Sequence, residues 1–211
     1  MQIAIGLYPG LTVLDSIGPY QVLSLVPDVD VVLCAEHAGR ITDDNGLVHL
    51  DVEHTFAEVP RPDVLLVGGG FGTRALATPD SAIVEWIRAA HDTTTWTTSV
   101  CTGSLLLGAA GLLDGLRATT HWNYYDLLAE FGAEPVEDRV VIGDRIITAA
   151  GVSSGIDMAL VLVDRLWGPE MAQAIQLGIE YDPQPPFDSG APSKADPEII
   201  ELVRGVMAAS S

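Results

Sequence analysis

One of the chain's two cysteines stands where a strand hands over to a helix, the place where a side chain is best presented as a nucleophile. In residues 96–113, "WTTSVCTGSLLLGAAGLL", a β-branched run reads as a buried strand, and leucines and alanines at helical spacing follow a Thr-Gly break. Cys101 falls on the turn between them. The first N–H groups of a helix are unpaired and its dipole favours an anion, so a thiol there is expected to fall from about 8.5 toward the ~3.5–7.5 range. The strand–turn–helix setting is that of a nucleophile elbow. Core packing is the competing reading, since free cysteine is among the most buried residue types. Cys34, mid-strand in "DVDVVLCAEH" with no helix start nearby, is assigned to packing.

A thiol nucleophile needs a group to handle protons and donors to hold developing negative charge. Asp15, in "TVLDSIGPY", is either a helix N-cap or a carboxyl beside the thiol. In the second case desolvation and like charge would raise its pKa, and the two groups would titrate as a pair. The "VGGGFG" segment at 67–72 has neither GxxxxGK[ST] nor GxGxxG opening a helix, so it is no phosphate loop. Its glycines let backbone N–H groups approach a ligand closely. Gly69 or Gly70, with the N–H of Thr102, can form an oxyanion-type pocket, or the segment is simply a tight turn.

His121, in "ATTHWNYYD", is either a satisfied core histidine or a neighbour of the thiol. Phe71, Trp122 and Tyr124 line an aromatic pocket or belong to the core. Thr102, not His, follows Cys101, so the adjacent Cys-His pair of cysteine proteases and amidotransferases is missing. The base must come from elsewhere, or the surroundings must ionise the thiol. His37, His49, His54 and His91 read as surface or edge positions, Glu180 and Asp188 as flanks of a loop, and Asp157 as a first-turn charge. With no HxH, HExxH or CxxC, no metal site is expected.

The elements that must position these residues alternate strand and helix. "IAIGLY" is a strand, "PGLTVLDSIGPYQVLSLV" an amphipathic helix kinked or restarted at Gly18-Pro19, and "DVDVVLCAEH" a second strand. "GLVHLDVEHTF" reads as a short edge ribbon. "PDVLLVGGG" is a continuous apolar strand, as in a parallel sheet covered on both faces. A Pro-initiated helix is expected at 79–91, a strand at 95–100, a helix at 103–113, a strand-like "RATT", a hairpin around Gly143-Asp144, a helix at 153–167, a further helix in "PEMAQAIQLGIEY", and a short C-terminal helix after a Pro/Gly-rich loop. This alternation predicts one doubly wound α/β domain over 1–211, mostly parallel, with its site beyond the carboxyl ends of the strands. "GGG" and Cys101 both lie at such ends.

Composition narrows the class. A chain of 211 residues suits one sizeable domain, and 48% hydrophobic residues can fill its core. The longest apolar runs, 100–113 and 158–167, fall short of the ~18–20 residues of a membrane span. The N-terminus opens directly into a strand, and the two cysteines do not form a disulfide framework, so a reducing cytoplasm is expected. A net charge of −19 with one lysine, Lys194, argues against nucleic acid as a partner, because phosphate backbones need clustered Lys and Arg.

Four segments in this order, "DSIGPYQVL", "GGGFG", "VCTGSLLLGAAGLLDGLRATTHW" and "EYDPQPPFDSG", together resemble the isonitrile hydratase branch of the DJ-1/PfpI superfamily, over about residues 3–192. The resemblance implies a flavodoxin-like sandwich, a homodimer, a cysteine nucleophile at a strained elbow, and neither organic cofactor nor metal. It assigns Cys101 as nucleophile, Asp15 as the acidic residue bonded to the thiol (commonly Glu elsewhere in the superfamily), Thr102 as the residue after the elbow, Gly70 as the backbone donor opposite, and His121 as the histidine near the cysteine. The implied activity is hydration of an isocyanide to an N-substituted formamide. DJ-1-like glyoxalase or hydrolase chemistry, or a redox-sensing thiol, are the alternatives. The "VCTGS…TTHW" block also occurs in AraC-type regulators; this acidic chain without a helix-turn-helix is not expected to act as one.

Overall fold

In the computed structural model, which describes residues 1–209, strand and helix alternate as the apolar patterning requires. β1 (Gln2–Gly6) leads to α1 (Val13–Leu23), β2 (Asp30–Ala35), a hairpin of β3 (Gly39–Thr42) and β4 (His49–Val52), and the short β5 (His54–Thr55). β6 (Val64–Val67) is followed by the one-turn α2 (Thr73–Leu76) and by α3 (Ala82–His91). β7 (Trp96–Val100) passes directly into α4 (Gly103–Ala109), and β8 (Arg117–Ala118), α5 (Tyr125–Glu130) and β9 (Glu134–Pro135) come next. The hairpin of β10 (Val140–Ile142) and β11 (Ile146–Ala149) precedes α6 (Ser154–Trp167), α7 (Pro169–Gly178) and α8 (Pro197–Ala209).

Seven strands form one sheet in the order β10-β11-β7-β6-β1-β2-β5, parallel throughout except for β10. All four side chains of β6 are buried, because helices cover both faces and leave nothing polar to alternate with. The chain winds outward from β1 through β2, then returns through β6 to β7 and β11. The switch point therefore lies between β1 and β6, where ligands bind in open α/β sheets. α4 lies inside the molecule, with Leu105, Leu106 and Leu107 fully buried; each contributes about 1.5–3 kcal/mol of hydrophobic stabilisation. Its one polar side chain, Ser104, is also buried and donates back to the Cys101 carbonyl, so the turn that precedes the helix is anchored.

Several boundaries differ from the sequence reading. The helix expected at 103–113 ends at Ala109, closed by Gly111 in the left-handed region at φ 78°. The helix expected from residue 79 begins at Ala82, after Ser81 in extended conformation. α1 runs unbroken through Pro19, because Gly18 and Pro19 are pressed against Ile156 and Gly155 of α6 and hold the helix in register. The ribbon "GLVHLDVEHTF" is divided: His49–Val52 pairs with β3 outside the main sheet, and His54–Thr55 joins its edge beside β2. The strand-like "RATT" contributes only two residues, paired with β9 in a separate small sheet. No helix among the described residues is long and apolar enough to cross a membrane.

Candidate active site

Cys101 adopts φ 57°, the left-handed conformation that L side chains avoid at a cost of about 1–3 kcal/mol. The surrounding bonds compel it. Its N–H is shared between the carbonyls of Ala149 (3.0 Å) and Ala150 (2.8 Å) at the end of β11. Its own carbonyl accepts from Thr120 Oγ1 at 3.0 Å and Ser104 Oγ at 3.2 Å. The elbow is thus clamped from the neighbouring strand, from the first turn of α4 and from the segment after β8. Backbone N–H groups of Thr102 and Val152 lie beside Sγ and favour its charged form.

Asp15 is wholly buried and is not an N-cap. Thr12 holds that position, and the Asp15 N–H donates to the Thr12 carbonyl at 3.1 Å. The Asp15 side chain turns instead toward the sheet, where Oδ2 accepts the Gly69 N–H at 2.8 Å. Oδ1 has no partner of ordinary hydrogen-bond geometry, and the carboxyl is coupled to the Cys101 thiol. Burial raises Asp15 from 3.8 to about 7, against the opposing pull of the Gly69 bond. Burial also pushes the thiol up, reinforced by the Asp15 charge, and the Thr102 and Val152 amides only partly offset it.

The thiol expected to be acidic from its place at a helix start is therefore held protonated at rest. Desolvation outweighs the helix terminus, because only 6% of Cys101 is exposed. A carboxyl near 7 beside a protonated thiol is a base poised for neutral pH. Cys34 has burial alone acting on it, which pushes it to about 12, and it packs in the core as expected. Both cysteines are unpaired.

The glycine run is built for close approach. A Cβ on Gly69 would lie 2.4 Å from Thr102 Oγ1 and 2.5 Å from Thr102 N, and one on Gly70, at φ 148°, would lie 2.4 Å from the Gly10 carbonyl. In this structure the Gly69 and Gly70 amides both have partners. Gly69 N–H is engaged by Asp15, and Gly70 N–H donates to Thr102 Oγ1 at 3.1 Å. The amides position the base and Thr102. The backbone groups that favour charge on the sulfur are those of Thr102 and Val152, the second of which the sequence reading missed.

Thr102 begins a buried hydroxyl chain. Its Oγ1 lies 3.0 Å from Thr73 Oγ1, which lies 2.8 Å from Tyr8 Oη, and Tyr8 donates to the Gly68 carbonyl at 2.8 Å. Each hydroxyl has one proton, so Tyr8's bond to Gly68 fixes the rest: Thr73 donates to Tyr8 and Thr102 donates to Thr73. The chain ties both ends of the glycine run to the turn after β1 and to α2.

Above Sγ lies a cavity of about 150 Å³ lined by Thr12, Phe71, His121, Tyr124, Val152 and Met207 with Gly70 and Thr102. His121 is half-buried on this wall, so it joins the thiol's surroundings. Its ring lies 5.5 Å from Trp122 and 5.9 Å from Tyr124. Burial lowers its pKa, and Nδ1 accepts the Asn123 N–H at 3.3 Å, which leaves Nε2 protonated in the neutral ring. Phe71 and Tyr124 line the pocket; Trp122 stacks beside it under the Arg204 guanidinium. Among the described residues, no three His, Cys, Asp or Glu side chains converge to hold a metal ion.

The model of the DJ-1/PfpI family matches residues 1–165. The chain is 46% identical over 204 residues to a Pseudomonas putida protein named isonitrile hydratase, covering 97% of this chain and 89% of that one. A Caenorhabditis elegans protein named glutathione-independent glyoxalase DJR-1.2 is 32% identical over 159 residues, 75% of this chain and 80% of that one. The crystal structure of a ThiJ/PfpI family protein from Pseudomonas syringae matches with a TM-score of 0.93 at 38% identity, covering 98% of this chain and 86% of its own.

Proposed function

The chain belongs to the DJ-1/PfpI family, and on that premise we propose that it is an isonitrile hydratase in which Cys101 attacks an isocyanide and Asp15 moves the protons. The observation that carries this reading is the buried Asp15–Cys101 pair under a small, largely apolar pocket, in a chain 46% identical to isonitrile hydratase. In the first half, Asp15 takes the thiol proton as Sγ bonds to the terminal isocyanide carbon. That carbon, which gains an electron pair, takes the proton back from Asp15 and gives the thioimidate R–N=CH–S-Cys101. In the second half, Asp15 takes a proton from water as its oxygen bonds to the same carbon, and passes that proton to the nitrogen. The C–S bond then breaks, the hydroxyl proton returns through Asp15 to the sulfur, and R–NH–CHO leaves.

The N–H groups of Thr102 and Val152 support the sulfur while it carries charge. A carbonyl substrate would want donors at its oxygen, and the Gly69 and Gly70 amides are already engaged; an isocyanide develops its charge on carbon and asks for a proton instead. A redox-sensing thiol would need to be ionised at rest, and burial opposes that. The reading carries with it a cofactor-free homodimer in the cytoplasm, acting on a small molecule.

The test mixes purified protein with an aryl isocyanide and follows the formamide by ultraviolet absorbance, wild type beside Cys101→Ala. Turnover in the wild type alone is expected. Turnover in both overturns the role of Cys101, and silence in both, with loss of methylglyoxal, moves the activity to carbonyl chemistry.

A further inference from the structure

The cavity above Cys101 holds about 150 Å³, the size of a cavity that takes a single benzene ring. That accommodates an isocyanide head and the first few atoms of its substituent, so the rest of the substrate must lie elsewhere. Gly70, Phe71, Thr102 and Tyr124 also line a second chamber of about 350 Å³, so the two spaces adjoin. Arg74 and Ala75, from α2, complete the second chamber. Phe71 and Tyr124 are the aromatic walls common to both.

Arg74 is the one side chain with a full charge, among the described residues, that lines the second chamber. Most of the chain's cationic side chains are held. Arg40, Arg117, Arg139, Lys194 and Arg204 sit in ion pairs, and Arg88 and Arg145 donate to backbone carbonyls. Arg74 takes part in none of these ion pairs and is exposed to the chamber and to solvent. In a chain of net charge −19 the general field turns anions away, which gives one uncommitted guanidinium at the outer end of the pocket a local meaning.

We infer that Arg74 selects isocyanides whose substituent carries a carboxylate, with the spacer between head and carboxylate lying along Phe71 and Tyr124. The inference rests on the hydratase reading above. A guanidinium presents a planar fork that matches a carboxylate in two parallel hydrogen bonds, and such charge-assisted pairs are the stronger kind.

The experiment compares kcat/KM for 4-isocyanobenzoate and for its methyl ester in wild type, Arg74→Gln and Arg74→Lys. In the wild type the acid is expected to be preferred. The acid-to-ester ratio should fall about tenfold or more in Arg74→Gln, the loss typical of one charge-assisted hydrogen bond, and Lys should restore part of it. The change should appear chiefly in KM for the acid, and added salt should weaken the wild-type preference. An acid-to-ester ratio that is the same in wild type and Arg74→Gln overturns the role of Arg74 while leaving the hydratase standing. No turnover of either compound by the wild type overturns the hydratase reading and the inference with it.

Discussion

Replacing Asp15 by Asn should strengthen the fold above neutral pH while nearly silencing the site, and the gain in stability should depend on pH in a calculable way. Asp15 has a folded value of about 7 against an ordinary 3.8, raised chiefly by burial. A carboxyl raised on folding binds its proton more tightly in the native state. Its contribution is fully present below about 3.8, erodes as pH climbs, and is gone above about 7. At ~1.36 kcal/mol per pH unit, the rise corresponds to about 4 kcal/mol. Asparagine retains an oxygen to accept the Gly69 N–H, now at 2.8 Å from Oδ2, and has no proton to lose.

For a chain of 211 residues, ~2–4 °C per kcal/mol converts this to a melting advantage of about 8–16 °C for Asp15→Asn above pH 7. Circular dichroism melts of both proteins from pH 4 to 8.5 give the difference curve, in which other carboxyls cancel. The difference should be smallest near pH 4, rise through the interval and level off above 7. Formamide production should drop by ~10²–10⁴, as for a lost acid–base group. A difference that stays flat with pH, or an asparagine variant that melts lower at pH 8, refutes the burial argument.

Tyr8→Phe removes the hydroxyl that donates to the Gly68 carbonyl and accepts from Thr73. Leaving those buried groups unpaired should cost about 1–3 kcal/mol, read as a fall in Tm, and a Tm equal to wild type contradicts the hydroxyl chain. Strain at the elbow is read from two variants of one position: Cys101→Gly should melt above Cys101→Ala, the reverse of their order in a helix, because only glycine takes φ 57° without penalty. Equal melting, or alanine above glycine, removes the strain.

The fold was legible where local pattern and burial coincide. "PDVLLVGGG" and "WTTSVCTGS" name two central strands and the turns beyond them, and those turns do meet beyond the carboxyl ends of β6 and β7. What escaped was carried by contacts distant in sequence. Asp15 reads as a cap candidate because nothing local shows that Thr12 caps α1 and that the carboxyl reaches Gly69, 54 residues on. Val152 comes beside the sulfur only because β11 lies beside β7 in register. Tyr8 and Thr73 belong to no motif, and only the turn after β1 converging with α2 on the glycine run brings them to Thr102. The thiol's acidity was misjudged for a related reason: a helix start is visible in sequence, whereas the depth at which it is buried is not.

The central claim is that the Cys101 sulfur bonds to the isocyanide carbon. It is tested most directly by mixing enzyme with an aryl isocyanide, quenching in acid within the first turnovers, and weighing the intact protein and its peptides. The account predicts a mass increase equal to one whole isocyanide, on the peptide containing Cys101, present in wild type and absent from Cys101→Ala. Formamide formed at the wild-type rate by Cys101→Ala, with no adduct on either protein, would contradict it.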